Sequence, residues 1–416
     1  MNSIDTKMAW RNIWRNPRRT ILTILAVAFA CSLLIFMLSF QFGSYDTMIN
    51  TSVKIHTGHV QVQNRGYEDN QDIRRVIPDP EPVVQAVETI ADVRAYASRA
   101  RAFALVSSRD RSYGVMVEGV DPVAEADVST LNDIIRQGEY FGEAPRKDGM
   151  PEALIGYLLA RNLKVAPGDE LTVLGQGRDG SIAATVVRVR GVYRSGMDEF
   201  DRSAIQIPLK NFQEVFTMGK AVHEIVIVGH RLADVPDIER ALTSRLADMD
   251  LERPLEVLNW EELMPGLKQA IRMDLVSGTI FYLILIMVVA FSILNTFLMA
   301  ILERTNEFGI MMAMGTKPGR LTRLVLTESA GMTLVGVAVG MAMGCLVTWY
   351  FMNHGIDLGG ATEILQQFGI PSRLYPRLTP ISTTAGPVAV LVITLLAALY
   401  PALKVSRLQP VQAMRQ

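Results

Sequence analysis

Five histidines, two cysteines and forty-two carboxylates are the groups in this 416-residue chain able to bind a metal, attack a carbonyl or move a proton. Their spacing argues against all three. His56 and His59 are the only close histidine pair, and no Cys, Asp or Glu completes a ligand set around them. No nucleophile stands in a recognisable pattern with a base, and the acidic residues read as solvated surface. A phosphate-binding loop needs GxxxxGK followed by Ser or Thr. The nearest string, Gly309 to Lys317, has five residues between its glycines and is followed by Pro318. The sequence therefore reads as non-catalytic, with no metal and no nucleotide held by its own residues.

What remains informative is the segment Glu303 to Gly319, ERTNEFGIMMAMGTKPG. It reads as a short helix leaving a membrane, halted by Gly315 as a C-cap and by the turn Thr316-Lys317-Pro318-Gly319 before the chain re-enters lipid. Its methionines and Ile310 are too apolar for a plain loop. Methionine surfaces suit the groove of a partner protein, so the chemistry here is docking.

The elements that position this segment are membrane spans. The chain is 49% hydrophobic, and four stretches can cross a hydrocarbon core about 30 Å thick: Ile21 to Phe42, Leu275 to Leu302, Ser329 to Phe351 and Ile381 to Leu403. The resulting division is an interfacial helix at 1–20, a first span at 21–43, a large water-soluble domain at 44–273 and a second span at 274–302. A cytoplasmic helix and turn at 303–319, a third span at 320–351, an outer loop at 352–380, a fourth span at 381–403 and a tail at 404–416 complete it. Before the first span, Trp10, Ile13, Trp14, Pro17 and Ile21 share one helical face and Lys7, Arg11, Asn12, Arg15 and Arg18 the other, which predicts a helix lying on the cytoplasmic leaflet.

Short loops set the orientation. Lys7, Arg11, Arg15, Arg18 and Arg19 precede the first span against Asp5 alone, and Arg304, Lys317, Arg320 and Arg323 follow the second. The tail holds Lys404, Arg407 and Arg415 with no acid, whereas the loop at 352–380 balances Arg373 and Arg377 against Asp357 and Glu363. Both termini are therefore predicted to be cytoplasmic and the large domain to face outward. Cys31 and Cys345 both fall inside spans, so that domain carries no disulfide.

Within 44–273 the pattern predicts an α+β domain. Strand candidates are His59–Gln63, Ala102–Val106, Gly114–Val120, Glu170–Leu174, Ala183–Val192, Ala204–Pro208 and His223–Val228; helix candidates are Glu81–Ile90, Gly156–Leu163, Leu209–Phe216 and Val235–Met249. Two lobes are expected, divided near Leu131 to Met150. In the third span Gly336, Gly340 and Gly344 recur every four residues and predict a close helix packing seam, with the neighbour left open between this chain and a second subunit. Glu328 is placed at the interface near Arg323 or Arg320 rather than as a proton or ion relay.

ERTNEFGIMMAMG followed by a returning helix, and YPALKVSRLQPVQAMR at the C-terminal end, resemble the two signature regions of FtsX and MacB superfamily permeases, the type VII ABC systems. Glu152 to Gly175, Val189 to Leu209 and Asn259 to Asp274 are most similar to the lipoprotein-releasing LolC and LolE subunits. Ser292, where those subunits carry Asn, and the LERTNEFG start depart from that subfamily. The resemblance implies an inner-membrane permease with two copies of a separate LolD/MacB-like ATPase, which would hold ATP and Mg, and with a second permease subunit, identical or paralogous. It implies that Glu303, Arg304, Glu307, Phe308, Gly309, Ile310, Met311 and Gly315 belong to an ATPase-coupling helix, and that motion is passed to a periplasmic domain. For a lipoprotein substrate handed to a periplasmic chaperone, Phe36, Phe40, Tyr282 and Ile286 would line an acyl-chain cleft. Lipid is the other expected contact and nucleic acid is not one. A MacB-like exporter and an FtsX-like regulator of a cell-wall hydrolase are the alternatives.

Overall fold

The computed structural model of the protein describes residues 11–142, 149–249, 253–357, 359 and 373–406. They form two compact units. A helical unit comprises the described residues up to Tyr45, from Ala270 to 357 and from Arg373 onward, and a sheet unit comprises the described residues from Asp46 to Gln269 with residue 359.

Among the described residues four helices are long and apolar enough to cross a membrane: Pro17–Ser52, Pro265–Glu303, Pro318–His354 and Pro380–Ser406. Each begins at a proline, whose fixed φ suits the first helical turn and whose missing N–H is not needed there. Residues 1–10 of the predicted interfacial helix lie outside the described residues; Arg11–Ile13 are helical and a turn separates them from Pro17. The first helix continues well past the predicted end at 43, because no Pro or Gly follows Gly43 until Gly58. A five-residue π-helical stretch, Val53–Thr57, then ends at Gly58, whose φ of 72° suits only glycine. The fourth helix runs through Pro387 and Pro401. Val27, Cys31 and Leu34 of the first helix, Ile286, Ile293 and Phe297 of the second, Val337 of the third and Val390 and Ala398 of the fourth make the shared core.

The glycine seam has its neighbour in this chain. A Cβ on Gly336 would lie 2.7 Å from the Val27 side chain, one on Gly340 2.5 Å from the Ala28 carbonyl oxygen, and one on Gly344 3.0 Å from the Ser32 Cα. Each step of four residues along the third helix thus meets the next turn of the first, at a distance only hydrogen permits.

The sheet unit carries ten strands: β1 Val60–Asn64, β2 Val93–Ser107, β3 Ser112–Val120, β4 Ile135–Gly138, β5 Glu152–Gly156, β6 Glu170–Gln176, β7 Ile182–Tyr193, β8 Ala204–Pro208, β9 Glu224–Gly229 and β10 Leu255–Asn259. Their pairings close on themselves: β2 to β3, β3 to β8, β8 to β5, β5 to β7, β7 to β6 and β6 back to β2. The first half of β2 runs outside this ring, pairing β9, which pairs β1, which pairs β10. The ring encloses one core, including Val106, Val117, Ile155, Val173, Val187 and Ile207, with Phe212 and Phe216 stacked beneath it at 4.4 Å between centroids. The β1–β9–β10 extension is backed by helices Glu81–Glu88 and Val235–Ala247 over a second core that includes Val62, Val87, Ile225, Ile227 and Leu242.

Two main cores are therefore present, beside smaller clusters around Leu131 and Val128, but the predicted boundary at 131–150 does not divide the two. β4 pairs the edge of β7, and the line between the cores crosses β2 near Arg99. A 15-residue strand can serve both because different lengths of it find different neighbours. The expected α+β composition holds. The segments 135–138, 152–156 and 255–259 are strands that the pattern did not suggest, each being four or five residues long.

Candidate functional site

The apolar turn between the second and third long helices is a helix in its own right. The chain bends at Arg304, and Thr305–Ala313 follows as nine helical residues. Gly315 adopts φ 94°, the Thr316 N–H donates to the Met311 carbonyl at 3.0 Å and the Gly315 N–H to the Met312 carbonyl at 2.9 Å. These two bonds are the paired Schellman closure, which needs a left-handed residue at the glycine position. Lys317 then extends and Pro318 opens the next helix.

One face of this short helix is consumed inside the chain. Phe308 is fully buried among Ile301, Leu321, Val325 and Ala402, with Gly309 buried beside it and Met311 and Met312 packed against the cluster. The opposite face, Glu303, Asn306, Ile310, Ala313 and Met314, is exposed at helical spacing, Ile310 by 48% and Met314 by 74%. Of the eight residues predicted for coupling, Glu303, Ile310 and Gly315 face outward. Phe308 and Gly309 do not, because the helix needs an apolar stripe to hold it to its own neighbours. Met314 is one of the methionines that the sequence marks for docking, whereas Asn306 and Ala313 carry no such mark, although they share the 303, 306, 310, 313/314 spacing.

The polar side of the helix is tied down by charge. Glu307 accepts hydrogen bonds from Arg15 and from Arg304 Nε, the latter at 3.4 Å, and the Arg15 bond is the main reason its carboxyl is held below the usual range. Arg19 donates to Glu303 at 2.9 Å. Glu328 is 8% exposed and accepts from Asn12 Nδ2 at 2.7 Å and from Arg304 Nη1 at 2.9 Å. Its partners are thus not Arg323 or Arg320. Those residues lie five and eight positions earlier on the same helix, offsets that do not present them to Glu328. The Arg304 guanidinium also sits 5.3 Å from the Phe308 ring centroid, so one cation joins the short helix to the third long helix. These four ion pairs link the segment at 12–19, the short helix and the start of the third span into one polar cluster.

The residues predicted to line an acyl-chain cleft are not on one surface. Phe36 stacks on Phe40 at 6.3 Å and meets Phe351 of the third helix at 5.6 Å. Tyr282 instead donates to Gln41 Oε1 at 3.0 Å, beside a Tyr45 hydroxyl that donates to Asp274 at 2.6 Å. Phe40 and Gln41 are adjacent, and one helical step turns the side chain by about 100°, so the two pairs face different neighbours. Ile286 is 6% exposed inside the helical core.

In the sheet unit several carboxylates are far from the solvated surface predicted for them. Arg99 is fully buried and donates to Glu125 through Nη2 at 2.7 Å and Nε at 2.9 Å. Arg101 Nη2 lies 2.7 Å from Glu224 and its Nε 3.3 Å from Glu118, whose other oxygen accepts from Gln206 at 3.2 Å. Burial raises the carboxyls of Glu118 and Glu224 above their usual range. These groups gather where β2 leaves β9 and enters the ring, so two guanidiniums on β2 hold both cores together. The sequence pattern places this strand only at Ala102–Val106, so Arg99 and Arg101 fall outside it, whereas the strand starts at Val93.

Residues 20–245 match the family described as the MacB-like periplasmic core domain, and residues 279–410 match that described as the FtsX-like permease C-terminal region. The lipoprotein-releasing system transmembrane protein LolC of Neisseria meningitidis is 23% identical over 407 residues, 95% of this chain and 94% of that protein. The corresponding LolE of Haemophilus influenzae is 25% identical over 326 residues, 75% of this chain and 74% of its own. The macrolide export ATP-binding/permease protein MacB of Rhodospirillum rubrum is 23% identical over 416 residues, 98% of this chain and 59% of that protein.

Proposed function

The chain belongs to the MacB-like periplasmic core family of FtsX-like permeases, and from that premise we propose that it is the membrane subunit of an ABC system that extracts lipoproteins from the inner membrane. The observation that carries the lipoprotein reading is the alignment with LolC along nearly the whole of both chains. In this reading both termini are cytoplasmic and the sheet unit is periplasmic. Two copies of a separate ATPase bind ATP and magnesium and receive the exposed Ile310 and Met314 in a groove. A second permease subunit completes the transporter.

The mechanism follows from how the short helix is held. An ATPase that moves on nucleotide binding would grip the Glu303–Ile310–Met314 face, and the Arg304–Glu328 pair together with buried Phe308 would pass the displacement to the third helix as a rigid body. The glycine seam would pass it on to the first. Packed interfaces of this kind shift between discrete arrangements and do not deform smoothly. The substrate's acyl chains bury many methylenes at about 0.8 kcal/mol each, so extraction requires an apolar surface open to the outer leaflet. Met273, Val276, Ile280 and Ile284 of the second helix, each more than half exposed, supply such a surface.

Photo-crosslinking residues at Phe40 and, separately, at Ile280 test this in intact membranes. Acylated proteins should be captured, and capture should fall when ATP and an acceptor chaperone are supplied together. Capture of an adaptor protein with nothing acylated would favour a second reading, a MacB-like exporter, which the match to MacB over 98% of this chain supports.

A further inference from the structure

On the second long helix, Pro265–Glu303, the hydroxyls of Ser277, Thr279 and Thr296 each donate to the carbonyl four residues earlier, at 3.0, 2.8 and 2.9 Å. Two polar side chains of the same helix are not satisfied in this way. Ser292 and Asn295 are exposed, and neither the hydroxyl nor the amide has a hydrogen-bond partner among the described residues. Asn295 lies eight residues before Glu303, about 12 Å along the helix axis from its cytoplasmic end. Its side chain is too short to reach the interface as a lysine or arginine would. An amide turned toward hydrocarbon loses its bonds to water and gains none, so it is destabilising there unless a protein group meets it.

The residues around Asn295 carry a second, independent sign. Val288, Phe291, Asn295, Leu298 and Leu302 recur at alternating steps of three and four. Val288, Phe291 and Leu302 are 63%, 64% and 55% exposed, and Leu298 is half-buried. A different stripe of the same helix, Ile286, Ile293, Phe297 and Ile301, is buried against the other helices of this chain. The outward stripe therefore has the seven-residue repeat that keeps side chains on the seam of two parallel, supercoiled helices. Ser292, one turn from Asn295, is small enough to let a second backbone approach. The chemistry of Asn295 selects the occupant. A carboxamide holds both a donor and an acceptor, so a two-fold axis along the membrane normal sets the same amide opposite itself and satisfies both groups in each copy. Acyl chains offer neither group at this depth. Two copies inserted with one topology are parallel, as such an axis requires.

We propose that the 288–302 stripe of the second helix is the seam between two identical copies of this chain, with Asn295 hydrogen-bonded to Asn295 of the partner subunit. Val288, Phe291, Leu298 and Leu302 pack on either side of that pair, which fixes the register of the two helices. A slip of one turn would set each amide against an apolar side chain. The proposal deepens the permease reading above, on which it rests for the existence of a second subunit, by making that subunit a copy of the first. Association measured on this chain alone, with neither ATPase nor lipoprotein present, can fail while the transport reading stands, and the reverse also holds.

The test is fluorescence energy transfer between donor- and acceptor-labelled full chains in lipid vesicles diluted with further lipid. Wild type should show transfer that falls on dilution. Asn295→Leu should move half-dissociation to a protein-to-lipid ratio about tenfold higher, whereas Asn295→Gln, which keeps a donor and an acceptor, should move it less than threefold. Asn295 is exposed, so both variants leave the packing within the chain intact, and an unchanged melting temperature checks this. Oxidative crosslinking reads the register, with Cys31 and Cys345 replaced by serine. Val288→Cys and Leu302→Cys, one heptad on either side of Asn295, should each give disulfide-linked dimers. Leu283→Cys, 55% exposed but about 120° round the helix from Asn295, should not. Absence of transfer at every ratio would give the seam to a different chain and overturn the proposal. Transfer that Asn295→Leu leaves unchanged, or crosslinking as ready at 283 as at 288, would also overturn it.

Discussion

His223 shows how a single buried group sets a dependence on pH. Its Nδ1 accepts the backbone N–H of Arg101 at 2.9 Å and its Nε2 faces the Ile73 carbonyl at 3.1 Å, so the neutral Nε2-protonated tautomer satisfies both. A second proton on Nδ1 would break the Arg101 bond, and burial lowers the pKa to about 4. The folded pKa lies below that of the unfolded chain, so the stabilisation is present above about pH 6.5 and is lost as pH falls toward 4. At about 1.4 kcal/mol per tenfold, the loss reaches roughly 3 kcal/mol at the acid end. Glu118 and Glu224, whose carboxyls are raised by burial, act in the opposite sense as pH rises above the usual carboxylate value. Scanning calorimetry of His223→Asn isolates the histidine: its unfolding temperature should fall less than that of wild type between pH 6.5 and 4. Parallel curves would show that His223 does not titrate in this window. None of this was legible in the sequence, because a lone histidine carries no sign of which backbone groups will surround it.

At the scale of the element, the short helix Thr305–Ala313 has two faces with separable roles. Phe308→Ala removes a fully buried ring from the Ile301, Leu321, Val325 and Ala402 cluster and should destabilise the helical unit by about 3 kcal/mol. Ile310→Asp places a charge on the exposed face and should leave the melting temperature unchanged. In the proposed complex it should weaken ATPase association at least tenfold, since a charge forced into an apolar groove is not paired. Pull-down of the cognate ATPase by each variant in detergent distinguishes them, and equal recovery with Ile310→Asp would remove this face from the interface. Glu307 is a poorer probe than its exposed position in the sequence suggests. Reversing its charge breaks the contact with Arg15 before any partner is involved. The helix, its glycine stop and its apolar character were all readable from Glu303 to Gly319. Which side faces outward depended on the residues at 321, 325 and 402, which arrive from two other helices.

For the whole molecule, the sidedness of the charges predicts one topology. With Cys31 and Cys345 replaced by serine, cysteines at Ser181 and at Lys317 should react oppositely with a membrane-impermeant thiol reagent in spheroplasts. Position 181 should label and 317 should not. Both positions are exposed, so a failure to label would report the barrier and not burial. Labelling at 317 with protection at 181 would invert the orientation and move the Ile310 face away from any cytoplasmic ATPase.

The sequence by itself determined the number and rough extent of the long apolar helices, the mixed α and β character of the domain between the first two, the helix at 303–315 and the close-packing role of Gly336, Gly340 and Gly344. Those features rest on local composition and on period, which a chain carries wherever it is placed. Tertiary structure decided the rest. The glycine seam found the first helix of its own chain, Glu328 found Arg304 and Asn12, and Phe40 and Tyr282 went to different neighbours because they meet different sides of one helix. The closed ring of six strands and the charges at Arg99 and Arg101 depend on contacts between residues as far apart as 101 and 224. Such pairings are fixed by the free energy of burying and satisfying groups together, and no window along the chain contains both partners.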